Sequence, residues 1–210
     1  MKISHTLLSL PILSLLVACA AQPVIEGGDR LPWRVPAAEL DISALPAPQV
    51  LAGRFVLQGE INNPANQTRL LRYHWRENEQ RKLDITLYPL PGGWEDLPAE
   101  RMVAGHYGQI RQHLVERLMQ PSGVIAVNIT GETIEHDEAF SHPIVSGRLQ
   151  QVFDRRSSIT RVELTALPPM FVRIALSAPE DEDASLGDAV REALLDYLSR
   201  VPAAQGIGDA

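Results

Sequence analysis

Leu70-Leu71-Arg72-Tyr73-His74-Trp75-Arg76 and Lys82-Leu83-Asp84-Ile85-Thr86-Leu87-Tyr88 are the two stretches whose reading decides the fold. In each, apolar and polar residues alternate, the period of a β-strand with one buried face. Leu71, Tyr73 and Trp75 share one side of the first, and Leu83, Ile85 and Leu87 share one side of the second. The polar link Glu77-Asn78-Glu79-Gln80-Arg81 makes the pair a β-hairpin. A slip of one residue would turn one apolar set to solvent, so opposed residue numbers must sum to an even value. A hairpin with a five-residue loop opposes Trp75 to Leu83, Tyr73 to Ile85 and Leu71 to Leu87. Its outer face then opposes Arg76 to Lys82, His74 to Asp84 and Arg72 to Thr86. This stripe is basic on an acidic chain, and Arg72, His74, Arg76, Lys82 and Asp84 are expected to meet an anionic group on a partner.

Outward from the hairpin, Arg54 to Glu60 reads as a strand, followed by the turn-forming Asn62-Asn63-Pro64-Ala65-Asn66. Val103, Tyr107, Ile110, Leu114 and Leu118 make one helical face ending before Pro121-Ser122-Gly123, with Gly105 and Gly108 weakening its first half. Val124 to Thr130 is a further strand, and a polar stretch containing Pro143 and Gly147 follows. Thr160–Leu167 and Met170–Ser177 are strands separated by Pro168-Pro169. Ser185 with Asp188 resembles a capping box, and Leu186, Val190, Leu194, Tyr197 and Val201 form the face of a last helix stopped by Pro202. The order points to α+β: an antiparallel β-sheet with two helices packed on one face. The layout is similar to the PsbP/Mog1-like group of folds.

At the N-terminus, Lys2 precedes an apolar stretch, Thr6 to Val17, too short to span a bilayer permanently. It ends in Leu16-Val17-Ala18-Cys19, which resembles the lipobox of bacterial lipoproteins. That resemblance implies cleavage before Cys19, diacylglycerol on its thiol and an acylated amino group, together a stable anchor. Ala20 stands where lipoproteins of the inner membrane usually have Asp, so the resemblance implies the outer membrane, facing the periplasm. The chain then divides into a signal peptide (1–18), Cys19 with a Pro/Gly-rich tether (19–53), one α+β domain (54–202) and a loose end (203–210).

Composition excludes several chemistries. Cys19 is the single cysteine, and if the anchor uses it no disulfide, thiol nucleophile or thiolate metal site remains. The formal charge of −7 becomes −8 once Lys2 is removed, which disfavours nucleic acid and anionic headgroups as partners. Lys82 is the only lysine beyond Lys2 and lies in a strand, so a phosphate-binding P-loop and a Ser–Lys pair are both out. No serine has the glycine frame of a nucleophile elbow. His106 and His113 lie two helical turns apart and read as the polar flank of a helix. Glu135-His136-Asp137-Glu138 with His142 reads as a solvated loop without metal-ligand spacing. Glu180 to Asp183 reads as negative charge favoured ahead of a helix. No cofactor and no metal are expected. The expected function is that of a non-enzymatic binding or scaffold module of the cell envelope, with a periplasmic hydrolase of dispersed residues or a carrier of an apolar ligand as alternatives.

Overall fold

A computed structural model describes residues 41–94, 96–137, 140–180 and 186–201, all within one compact unit. The signal peptide, Cys19, the tether up to residue 40, Ser185 and the acidic residues 181–183 lie outside the described residues.

The strands are β1 (Val50–Leu51), β2 (Phe55–Asn63), β3 (Thr68–Trp75), β4 (Asn78–Pro89), β5 (Val124–Asp137), β6 (Phe140–Phe153), β7 (Ser157–Leu167) and β8 (Met170–Pro179). Helix α1 (Ala99–Met119) joins β4 to β5, and α2 (Leu186–Leu198) follows β8. The strands form one sheet in the order β1-β2-β3-β4-β8-β7-β6-β5, every neighbouring pair antiparallel. Two meanders of four strands therefore meet at β4 and β8. The chain must pass from β4 in the centre to β5 at the far edge, about four strand spacings or roughly 19 Å. A helix the length of α1, roughly 30 Å, makes that crossing over one face of the sheet.

The α+β class and the antiparallel sheet are those expected, but the two helices lie on opposite faces. Gly147 and Ser146 are neighbours on β6 and point to opposite sides. A Cβ on Gly147 would meet Tyr107 of α1, whereas Ser146 bonds Arg191 of α2. The physical reason lies in β7 and β8, which are buried on both faces. On β8, Val172, Ile174 and Leu176 face α2 while Phe171 stacks against His106 of α1. Strands covered on both sides read as nearly continuous apolar runs, and one layer of helices could not shelter both.

Leu71, Tyr73, Trp75, Leu83, Ile85 and Leu87 do share one buried face, packed with Leu186, Val190, Leu194, Tyr197 and Val201. Each large side chain so buried contributes about 1.5–3 kcal/mol. The hairpin register differs from the expected one by two residues: Tyr73 opposes Leu83, Leu71 opposes Ile85, and Arg72 opposes Asp84. The connection shrinks to Arg76-Glu77, and an irregularity between His74 and Trp75 takes up the remaining residues. Two interactions favour this register. It replaces the like-charged Arg76–Lys82 opposition with the opposite-charged Arg72–Asp84 one. It also brings the Arg81 guanidinium over the Trp75 ring, 4.5 Å from its centroid.

Three further expectations are corrected. The polar stretch after Thr130 is not a loop: it is the second half of β5 and the whole of β6, so Glu135, His136 and Asp137 sit on a strand. Helix α1 runs from Ala99 through Gly105 and Gly108, both exposed, because its other face is anchored by Met102, Val103, Tyr107, Ile110 and Leu114. Residues 41–53, which the sequence reads as the end of the tether while leaving open the packing of the Leu40, Ile42 and Leu45 series on the domain, belong to the fold. Asp41 caps a short 3₁₀ turn whose Ile42 is buried. The nearly buried Arg69 donates to the carbonyls of Ile42 and Leu45 and to Glu60. Tyr197 donates to the Pro46 carbonyl at 3.3 Å, and the Ala52 N–H donates to Asp196 at 2.7 Å.

Candidate functional site

Because α1 crosses over β8, β7 and β6, it covers only part of its face. The other part, over β2, β3 and β4 as far as β8, is not covered by either helix and, among the described residues, exposes Arg72 and Lys82, while Thr86 is buried there. Strand alternation and register fill this open surface with rows of side chains. One row is His74, Lys82 and Ser177, the next Arg72, Asp84 and Ala175, the third Leu70, Thr86 and Arg173. Four of the five residues expected to contact a partner, Arg72, His74, Lys82 and Asp84, thus lie together on one face. Arg76 sits at its end in the hairpin turn, its N–H donating to the Arg54 carbonyl.

The surface is not an unbroken basic stripe. Arg72 makes a two-pronged ion pair with Asp84, at 2.8 and 2.9 Å, and its guanidinium is held more firmly protonated by that carboxylate. Nearly half of the Arg72 side chain remains in solvent, so the pair contributes little to stability. His74 Nδ1 is hydrogen-bonded to the Gln58 amide, and Lys82 is exposed. Two residues of this face were not singled out in the sequence. Arg173 of β8 donates to Thr86 at 3.1 Å, and Ile61, opposite Leu70, is 60% exposed. Arg173 lay in a strand read for its apolar residues, and its neighbourhood with β4 is a long-range pairing with no local signal. The result is a sheet surface with an apolar corner beside several cations, suited to contact.

A second concavity lies on the opposite face, between the start of α2 and β5, β6 and β7, with a volume of about 390 Å³. Its floor is an ionic network centred on Arg191. That guanidinium donates to both oxygens of Glu163 at 3.0 and 2.9 Å, to Ser146 at 3.1 Å and to Glu135 at 3.2 Å. Asp137 lies 3.7 Å away. Burial pushes the Glu163 carboxyl above its ordinary value, and Arg191 and Ser146 pull it back only in part. Arg148 and Arg161, directly opposed on β6 and β7, line the cleft as well.

The histidines do not converge. His113 and His136 are exposed beside Glu116 and Glu100, and His142 is half-buried with its pKa lowered by burial. Among the described residues, no three His, Cys, Asp or Glu side chains are grouped to hold a metal ion. His106 is not a polar flank: it is fully buried, stacked on Phe171 at 4.1 Å, with Nε2 2.9 Å from the Tyr88 hydroxyl. Burial lowers its pKa to about 4, with Arg173 adding to the shift and Gln109 opposing it. The folded chain therefore keeps His106 neutral while the unfolded chain protonates it near its ordinary 6.5. Stability present above that pH is lost as the pH falls toward 4, by about 3 kcal/mol. Urea unfolding across that range should show the loss, and His106→Gln should show a shallower one; equal slopes would rule out the buried neutral imidazole.

No protein family matches the chain, and no characterised protein matches it in sequence. Solved structures similar in fold include PsbP (CyanoP) of Synechocystis sp. PCC 6803, at 7% identity and a TM-score of 0.44, covering 66% of this chain and 89% of that one. The Ran-binding protein Mog1p of Saccharomyces cerevisiae is also similar, at 13% identity and a TM-score of 0.36, covering 72% of this chain and 89% of that one.

Proposed function

We propose that the chain is a lipid-anchored module of the bacterial cell envelope that binds a partner through the open face of β2, β3, β4 and β8. The observation that carries this reading is the uncovered half of the sheet. A chain of net charge −7 exposes Arg72 and Lys82 there, with Arg173 half-buried among them and the exposed Ile61 at the corner. Cations beside an apolar corner suit a protein surface carrying carboxylates around an aliphatic residue. The anchor is read from Leu16-Val17-Ala18-Cys19 and its side of the envelope from Ala20. The partner is then a protein at the periplasmic face of the outer membrane, and the module acts by holding it.

One experiment tests both parts. In cells, the wild type, Cys19→Ala and the triple variant Arg72→Gln, Arg76→Gln, Lys82→Gln are crosslinked and fractionated. Cys19→Ala is expected to leave the protein uncleaved or in the soluble fraction. The triple variant is expected to stay folded and membrane-bound while losing most of the crosslinked partner. A Cys19→Ala protein processed and membrane-bound as before refutes the anchor. A triple variant that recovers every partner at the wild-type level refutes the open face.

A further inference from the structure

Strand β5 ends the sheet and, among the described residues, pairs with β6 alone, so one side of its backbone is left without a ladder. Such an edge invites another strand, and proteins usually blunt it with lysine, proline or a short length. The opposite edge is blunted in that way, since β1 is two residues long. β5 is 14 residues long, contains no lysine or proline, and carries no charge from Val124 to Gly131. Of the five large apolar side chains exposed among the described residues, Ile125, Ile129 and Ile134 stand on β5 and Met119 ends α1. Apolar surface gathered at one edge marks a contact.

Helix α1 runs beside this edge. Glu100 lies 3.4 Å from His136, Arg111 donates to Glu132 at 3.2 Å, and further along Gln151 of β6 donates to the Leu118 carbonyl. Tyr107 seats over Gly147, so the helix stands above β6 and leaves most of β5 to solvent. Between helix and strand lies a concavity of about 290 Å³, with Ala104 and Gly108 on its helix side and Ile134 and Val145 on its sheet side. Gly108 has open space where a Cβ would stand.

The faces of β5 follow from its pairing with β6. Glu132 and Ile134 oppose Gly147 and Val145, on the α1 side. An irregularity between Ile129 and Gly131 skips one residue, so Val127 and Ile129 face α1 as well. That skip lets β5 pair antiparallel with a copy of itself about a two-fold axis between Thr130 and Gly131. Ile129 then opposes Glu132, Val127 opposes Ile134, Asn128 opposes Thr133 and Ala126 opposes Glu135, the members of each pair on one face. In a regular strand the same pairing would set opposite faces against each other. Charge favours this register, because Glu132, Glu135 and Asp137 all lie beyond Gly131 and meet the uncharged half of the copy. A register centred on Glu132 would instead oppose that carboxylate to itself. The two copies of α1, each above β6, would stand three strand spacings or roughly 14 Å apart. Helices in direct contact are about 8–10 Å apart, so these do not clash, and Val127, Ile129 and Ile134 of both copies fill the space between them.

We infer that the chain forms a symmetric dimer by pairing β5 with β5 of a second copy, the two sheets joining into one and the isoleucines of each copy closing the concavity of the other. A two-fold contact of this kind uses the same patch twice and ends with the dimer. Strands β8, β7 and β6 separate β4 from this edge, so the open face stays free for its own partner.

The test is sedimentation of the detergent-solubilised full chain, with the mass of protein separated from that of detergent. The wild type is expected to be a dimer that dissociates on dilution, because one strand pair is a small interface. Ile129→Lys with Ile134→Lys should keep the fold, both side chains being exposed, and should raise the dissociation constant about tenfold or more. Asn128→Cys with Thr133→Cys should give a disulfide-linked dimer under mild oxidation. Either cysteine alone should not, since its own copy lies five residues along the strand, roughly 17 Å away. The inference is overturned if the wild type is monomeric at every concentration sedimented, if the lysine variant dimerises like the wild type, or if the cysteine pair gives no more linked dimer than the single cysteines. A wild type that is monomeric alone but crosslinks in cells from position 129 to another protein also overturns it, since the edge then takes a foreign strand. The open-face variant Arg72→Gln, Arg76→Gln, Lys82→Gln should dimerise normally, so failure at one surface is distinguishable from failure at the other.

Discussion

Gly147→Ala is expected to destabilise the protein by about 3 kcal/mol or more, although it adds a single methyl group. The new Cβ would lie 2.0 Å from the Tyr107 hydroxyl oxygen and 2.8 Å from the ring carbon that bears it. Tyr107 cannot turn aside, because it is 5% exposed in the middle of α1 with the sheet beneath it. Either the helix lifts off β6, opening the contacts of Val103, Ile110 and Leu114, or the strand bends. Tyr107→Phe should rescue little, since the ring carbon remains, whereas Tyr107→Leu in the alanine background should recover much of the loss. Urea unfolding of the two single variants and the double variant is the measurement. A coupling energy above about 1 kcal/mol is expected for residues in contact. If Gly147→Ala unfolds within about 0.5 kcal/mol of the wild type, α1 does not seat on Gly147.

Arg191→Met should cost about 3–5 kcal/mol at neutral pH, the range for removing one member of a buried ion pair. The Glu163 side chain is 8% exposed, and without Arg191 it faces Ser146 as its one remaining hydrogen-bond partner among those described. The pH dependence has a definite sign. Glu163 already titrates higher in the folded chain than its ordinary 4.5, so the native state holds that proton more tightly than the unfolded state does. The resulting penalty is complete above the folded value and vanishes below the unfolded one. Removing Arg191 widens the gap, so the deficit of the variant should be largest at neutral pH and shrink as the pH falls toward 4. Glu163→Leu combined with Arg191→Met should lie closer to the wild type than Arg191→Met alone, because no charge is left buried without a partner. A deficit for Arg191→Met that stays constant from pH 7 to about 4 would show that Glu163 is not its source.

The sequence is informative where its periodicity is local and one-sided. Leu71, Tyr73 and Trp75 against Leu83, Ile85 and Leu87, and the apolar faces of both helices, could be read because each element carries its own period. The hairpin register could not, since any even sum keeps the faces and the choice rests on one ion pair and one cation–π contact. Strand β6 was missed because Pro143 and Gly147 mark loops in most settings, and here Gly147 admits Tyr107. The opposite placement of the helices was visible only as the near-continuous apolar character of β7 and β8, which a reading by alternation overlooks. His106 failed for a related reason: its helical neighbours looked polar, and the ring it stacks on comes from β8, more than sixty residues away. The basic residues of the hairpin were legible as a group. Arg173 joins them through the long-range pairing of β8 with β4, and the Arg148–Arg161 opposition went unseen because β6 itself was missed.

The clasp formed by Arg69, Tyr197 and Asp196 around residues 42–52 also has a mechanical meaning. Any tension on the chain ahead of Asp41 arrives first at the carbonyls of Ile42, Leu45 and Pro46, and only then at β1. Strand β1 is two residues long and, among the described residues, pairs with β2 alone, so pulled alone it would unzip one rung at a time. The clasp spreads the load over β3 and α2 at once, so several bonds must shear together before the sheet edge is reached. For a domain tethered through its N-terminus, as proposed above, this contact is a buckle, with Arg69, deep in the sheet, as its pin.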